Sequence, residues 1–469
     1  MSIVTIHFEL NSDDPLYFQI FHHIKELILS NNLPSGTKLP SIRSVAASLN
    51  VNNITVINAY KQLELCGYIK SKQGSGFYVL KETDSKSSSI IMTQRENNEQ
   101  KIDLASASPN PEIFPTETFK QYLVEVINRD KGFAFSYQEI NGFMPLREIL
   151  VTFLYKTYGI TTNANQIQIV SGAQQGIDII AKGCLHSGDS VITENPTYFG
   201  ALEVFQSRGC HIVPVNLNNE GLNLIELEKK IKICKPKLIY IMPKYQNPTT
   251  VCYSKETLLA LLNLAQKYNF YILEEDSMCE LSYNQSNSQN TLCLKAFDSN
   301  DKVIYLKSFS KLLMPGLRIG FTIMPKILSP SFTKMKQTTD ISSSGLIQRA
   351  LELYFINNKW DEHIHYMKEI YRGKYEYMLQ KLEVLKENGI EFIKPNGGLY
   401  FWIKLPNTVS AYTLYEKCYK EGLAILPSSL FYNAFDPNKD KYIRLSFASS
   451  SIDDIQQGMD ILQKNIQKS

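Results

Sequence analysis

The sequence predicts a multidomain chain: a winged helix-turn-helix head, then an α/β body with a mostly parallel sheet and a small C-terminal α+β subdomain. Three observations predict this. Residues 85–100, SKSSSIIMTQRENNEQ, are polar, serine-rich and without hydrophobic period, which marks a linker. Before them stand three helical patterns and a hairpin pattern. After them, short β-rich runs alternate with helical patterns. The limits drawn are 1–81 for the head, 82–101 for the linker and 102–469 for the body, with the small subdomain from about 335.

In the head, PLYFQIFHHIKELILSNN puts Leu16, Ile20, Ile24, Leu27 and Ile28 on one helical face. The turn cluster NLPSGTKLP ends it. Ser41 caps a short helix, IRSVAASL, with Val45 and Leu49 inward. ITVINAYKQLELCGY follows with Val56, Tyr60 and Leu63 on one face and Gly67 as its stop. YIKSKQGSGFYVL reads as two short strands around QGSG.

In the body, QIQIVSG, DSVITENP, HIVPVNL, KLIYIMP, FYILEED and KVIYLKSFSK are strand runs. AQQGIDIIAKGCL and SKETLLALLNLAQKYN are helical patterns between some of them. MKEIYRGKYEYMLQKLEVLKENG is a long helix, and GLYFWIKLP, GLAILPSS and YIRLSFA are strands of the terminal subdomain.

Composition bounds the rest. Hydrophobic residues make up 43% and charged residues 20%, which permits a sizeable core and excludes global disorder. A net charge of +3 neither demands nor excludes a nucleic-acid partner. None of the 8 cysteines forms a Cys-x-x-Cys pair, so neither a zinc site nor a disulfide framework is expected. No long apolar run or leader pattern stands out, so no membrane partner is expected and the expected location is a reducing cytoplasm.

Ligands of open α/β sheets sit beyond the carboxyl ends of the strands. There this chain places SGAQQG, whose helix start can hold a phosphate, and then Tyr198 in NPTYFG. Asn247 follows in KYQNPTT, then Asp276 in LEED, and Lys311 in SFSK. Phosphate cradle, aromatic ring, amide, carboxylate and lysine are the parts that a flat, phosphorylated aromatic aldehyde needs. The segment resembles the fold type I pyridoxal-phosphate enzymes, the aspartate aminotransferase superfamily, over roughly 105–469. The resemblance implies that Lys311 forms the imine with the aldehyde. It implies that Asp276, with Glu275 as its rival, pairs with the pyridine nitrogen. It further implies that Asn247 donates to the phenolic oxygen and Tyr198 stacks on the ring. By the same resemblance, Ala173, Gln174, Ser308, Ser310 and Arg318 are expected to hold the phosphate. Arg444 matches the superfamily's arginine for a substrate carboxylate, which its planar fork can bind. Tyr137 matches a tyrosine that reaches a phosphate across a dimer interface. Ser277, Met278 and Cys279 stand where the superfamily commonly has a tyrosine, and NPTT replaces NPTG; both departures count against efficient transamination.

The head, through GTKLPSIRSVAASLNVNNITVINAYKQLELCGYIKSKQGSGFYV, resembles the GntR-type winged helix. Together the two halves look like the MocR subfamily of transcription regulators. The helix near 53–66 is expected in the major groove of an operator duplex, with Asn52, Asn53, Thr55 and Asn58 toward base edges. Lys38, Ser41, Arg43 and Lys61 are expected at phosphates, and Gly74 and Gly76 in the wing. Residues 1–80 carry six Lys or Arg against five Asp or Glu, so a homodimer is expected to supply affinity through bivalency. The resulting expectation is a DNA-binding regulator that senses pyridoxal 5'-phosphate, an amine or an amino acid, the amine through an external aldimine. The alternative is an amino-acid aminotransferase with an accessory head. A third reading is a body that has lost its cofactor and serves only dimerisation.

Overall fold

A computed structural model describes residues 6, 8, 15–30, 32–72, 74–80, 102–283, 293–433 and 439–468. The linker read at 85–100 lies outside the described residues.

The head holds helices α1 (Leu16–Leu29), α2 (Ile42–Ser48) and α3 (Asn53–Leu65) and the hairpin β1 (Ile69–Lys72) and β2 (Gly76–Val79). Ile20, Phe21 and Ile24 of α1 are buried, whereas Leu16 is 41% exposed. The buried stripe is therefore narrower than the spacing suggested, and Phe21 completes it. Ser41 caps α2 by accepting from the Ser44 N–H, 3.1 Å, and Asn52 caps α3 by accepting from the Ile54 N–H, 2.9 Å. Val56, Tyr60 and Leu63 are fully buried on one face of α3. Gly67, with φ +80°, takes the left-handed conformation that lets the chain turn out of α3 into β1.

The body's main sheet has eight strands in the order β4-β11-β10-β9-β8-β5-β6-β7. They are β4 (Ile167–Val170), β5 (Ser190–Asn195), β6 (His211–Asn218), β7 (Gly221–Leu222), β8 (Leu238–Ile241), β9 (Tyr271–Asp276), β10 (Val303–Ser308) and β11 (Gly320–Ile323). β6, β5, β8, β9 and β10 run parallel, while β11 is antiparallel to both β10 and β4. All six strand runs read from the body's sequence are strands of this sheet. The central ones are buried on both faces, as near-continuous apolar runs require.

The small subdomain carries an antiparallel sheet, β12 (Glu391–Phe392), β13 (Tyr400–Lys404), β16 (Tyr442–Ser446) and β15 (Leu426–Pro427), beside the long helix Lys359–Leu385. That helix begins eight residues before the pattern read for it. β3 (Ile102–Asp103), far away in sequence, pairs in parallel with β14 (Leu423–Ala424), and the Ser446 N–H donates to the Leu104 carbonyl. The start of the body is thus stitched into the small subdomain.

The head packs on the body. The Tyr68 ring lies on His211 with centroids 3.5 Å apart and planes 6° from parallel. Cys66 and Cys234 are disulfide-bonded, whereas the cysteine spacing suggested no disulfide framework. Their separation of 168 residues hides the pairing from any local spacing rule.

Candidate cofactor and effector site

The strand ends converge on a cavity of about 330 Å³. Ser171-Gly172 follows β4, and the helix Ala173–Cys184 starts there. Its first N–H groups have no carbonyl within the helix to bind and so suit an anion. Gly172 has φ +87°, and a Cβ on it would stand 2.9 Å from Arg318 Nη2, so only glycine fits between helix and guanidinium. Arg318 follows the Pro315–Leu317 turn in left-handed backbone. Its Nη2 donates to the Ser171 carbonyl at 2.8 Å and its Nη1 reaches Ser310 Oγ at 3.5 Å. One guanidinium thereby ties the first loop to the lysine loop. Ala173, Gln174, Ser308, Ser310, Lys311 and Arg318 all line the cavity.

The opposite wall is built from β5, β8 and β16. Tyr198 stands just after β5, its hydroxyl 3.3 Å from Gln174 Oε1. Asn247 Oδ1 accepts from Arg444 Nη1 at 2.8 Å, and Arg444 Nη2 donates to the Ala105 carbonyl at 2.6 Å. The guanidinium lies 4.3 Å from the centre of the Tyr400 ring. Arg444 thus sits in the cavity wall, in the small subdomain, and touches both the first residues of the body and the asparagine loop.

The carboxylates need a correction. Asp276 does not line the cavity; Glu275 does. Alternation along β9 sends Glu275 toward the cavity and turns Glu274 and Asp276 away. Glu275 accepts from the Tyr240 hydroxyl and from Ser277 Oγ, the latter at 3.2 Å. Burial holds its carboxyl above the usual range, opposed by Tyr240, Ser277 and the charge of Lys311. Asp276 instead accepts from Tyr305 (2.7 Å), Lys307 (3.2 Å) and the N–H groups of Met278 (3.3 Å) and Cys279 (3.1 Å). Burial opposes its charge, but the Lys307 ammonium and the hydrogen bonds hold its carboxyl below the usual range. Lys307 also donates to Glu280 at 2.7 Å. Asp276, Cys279 and Cys293 bring ligand atoms within 4.8 Å of one another, but the cation beside them is this lysine. Sequence reasoning missed Lys307 because a lysine inside a strand reads as an edge or surface residue; only its fully buried place reveals the network.

Tyr137 is 86% exposed and does not reach the cavity of its own chain. In the head, Asn53, Asn58, Lys38, Arg43 and Lys61 are exposed and Thr55 is half-buried. Ser41 and Asn52 are exposed too, but their side-chain oxygens are engaged as helix caps, which leaves the Ser41 hydroxyl hydrogen and the Asn52 amide hydrogens as donors. Lys38 and Lys72 lie over the Tyr78 ring, 5.9 and 4.8 Å from its centre, beside Gly74 and Gly76 of the wing.

Residues 99–462 match the family model described as aminotransferase class I and II, and residues 16–79 match bacterial regulatory proteins, gntR family. The HTH-type transcriptional regulator YdfD of Bacillus subtilis is 32% identical, with 95% of each chain covered. Aromatic-amino-acid aminotransferase 1 of Thermococcus litoralis is 31% identical over 78% of this chain and 88% of its own. Among solved structures, Pyrococcus horikoshii kynurenine aminotransferase, in complex with PMP, superposes with a TM-score of 0.76 at 32% identity, covering 81% of this chain and 94% of that one.

Proposed function

Because the chain belongs to the class I and II aminotransferase family and carries a gntR-family head, we propose that it is a DNA-binding transcription regulator of the MocR type whose body binds pyridoxal 5'-phosphate. One observation carries the reading: Lys311, Arg318 and the Asn247–Arg444 pair share a single cavity in a chain that also presents an exposed first turn of α3.

The donor set fits the cofactor. The cavity takes its cations from Lys244, Lys311, Arg318 and Arg444, and among the described residues its sole acid is Glu275. A phosphate matches the helix start with Ser308, Ser310 and Arg318. A protonated ring nitrogen matches Glu275 in place of Asp276. Bound there, pyridoxal phosphate supplies a carbonyl that amines can capture and a ring that withdraws electrons. The chain's own part is positional. Lys311 holds the carbonyl end, Tyr198 covers a face of the ring, and Asn247 donates toward the phenolic oxygen. Arg444 offers its fork to the carboxylate of an amino-acid effector.

Arg444 also ties the effector to Ala105 and Asn247, so a carboxylate that competes for its N–H groups loosens the joint between small subdomain and cavity wall. Coupling free energies of this type are typically ~1–3 kcal/mol. A homodimer supplies the second head. The exposure of Phe133 (76%), Phe135 (65%) and Tyr137 (86%) on one stretch supports such an interface. Among the described residues, no helix is long and apolar enough to cross a membrane, in keeping with a cytoplasmic regulator.

The test is footprinting of the DNA upstream of the protein's own gene, with and without pyridoxal phosphate, paired with borohydride fixation at Lys311. Protection that depends on the cofactor supports the reading; fixation without any protected DNA refutes it. A second reading, an amino-acid aminotransferase with an accessory head, is favoured by the intact Lys311 and Arg444 pair. Sustained keto-acid formation over many turnovers would select it.

A further inference from the structure

Cys66 immediately follows α3, and Cys234 is the last residue of the helix Leu224–Cys234 in the body. Their Cα atoms lie 6.3 Å apart, within the span that a disulfide bridges. The surroundings hold them in register. His211 Nε2 is 2.6 Å from the Cys66 carbonyl, and the same imidazole stacks on Tyr68. Lys235, next to Cys234, lies 5.6 Å from the centre of the Phe18 ring of α1. Cys66 is fully buried and Cys234 is 7% exposed, so the docked head shields the pair from solvent.

We propose that Cys66 and Cys234 are a reversible oxidation site that latches the DNA-reading head onto the body of the same chain. The latch grips the C-terminal end of α3, whereas Asn53 and Asn58, in its N-terminal half, stay exposed. Oxidation therefore fixes where the head points without covering what it reads.

The oxidant class is a small disulfide such as oxidised glutathione. When the head lifts, the Cys234 thiolate attacks one sulfur of that disulfide, forms a mixed disulfide and expels one small thiolate. The Cys66 thiolate then attacks Cys234 Sγ, closes the protein disulfide and expels the second. The two cysteine protons end on the two small thiols. The protein loses two electrons and the small disulfide gains them. A thiol-rich compartment keeps the pair reduced, so the bond reports a departure from that state.

The test uses the reduced full-length protein, oxidised glutathione, peptide mass spectrometry and hydrogen exchange. The expected result is a Cys66–Cys234 peptide within one chain and two glutathione thiols released for each bond formed. The half-exposed Cys184, Cys210 and Cys252 stop at mixed disulfides and serve as internal controls. Exchange at residues 66–69 slows by about tenfold on oxidation, because local opening of the interface is suppressed. Dithiothreitol reverses it, and Cys234→Ser shows neither effect. Three results would each overturn the proposal: the absence of the 66–234 peptide while the controls react, a linkage found only between two chains, or unchanged exchange after cross-linking. Neither readout uses DNA or pyridoxal phosphate, so its failure and the failure of the regulator reading are told apart.

Discussion

Glu275 and Asp276 are neighbours in sequence, yet opposite consequences follow from neutralising each. In Glu275→Gln, the side chain keeps an oxygen for the Tyr240 hydroxyl but loses the charge proposed to face the ring nitrogen. A hydrogen bond to a charged group contributes ~1.5–3 kcal/mol, so pyridoxal phosphate should bind about 10- to 150-fold more weakly. The cofactor-free fold should not suffer, because burial already disfavours the ionised form of Glu275. Asp276→Asn does the reverse. It leaves Lys307, which is fully buried, without half of its countercharge and turns an amide donor toward the Tyr305 hydroxyl. Breaking a buried pair costs ~3–5 kcal/mol. For a body of about 370 residues, 3 kcal/mol corresponds to a fall in Tm of about 4 °C. The assay is cofactor titration by absorbance beside thermal unfolding of the cofactor-free protein. Should Asp276→Asn weaken the cofactor more than tenfold at unchanged Tm while Glu275→Gln binds normally, the assignment of faces on β9 is wrong.

Other perturbations test other parts. Burial lowers the His211 pKa from 6.5 to about 4, so the folded state binds fewer protons than the unfolded state between those values. Stability should therefore be full above pH 6.5 and fall by about 3 kcal/mol toward pH 4; His211→Phe, which keeps a ring on Tyr68, should flatten that slope in pH-dependent denaturation. Gly172→Ala forces a Cβ against Arg318 in left-handed backbone and should weaken phosphate-bearing cofactor forms more than pyridoxal itself, read by parallel titrations. Asn58→Ala should cost ~1–3 kcal/mol at one base position, and Lys61→Ala should weaken all duplexes alike and reduce the salt slope by about one; both residues are exposed, so Tm should hold.

Much of this was legible in the sequence because the relevant signals are local. Apolar runs ended by Gly, Pro or Asn mark where several strands stop, and ligands sit where strands stop. The capping residue Ser41 announces α2, whereas the cap that Asn52 places on α3 emerges only in the structure. What stayed hidden depends on which way a buried side chain points. LEED offers three acids in a row, all of which the fold buries, so polarity gives no clue to which one faces the cavity. Lys307 reads as a surface residue until its partners, Asp276 and Glu280, are seen around it. Cys66 and Cys234 meet only because the head docks on the body, and no periodicity within either unit encodes that meeting.

The pairing of Ile102–Asp103 with Leu423–Ala424 has a mechanical outcome. The first strand of the body is thereby anchored on the small subdomain, not on the large sheet. Any rotation of that subdomain also displaces this first strand, as a crank carries its pin. A few degrees of rotation there would thus shift the point at which the body's chain begins.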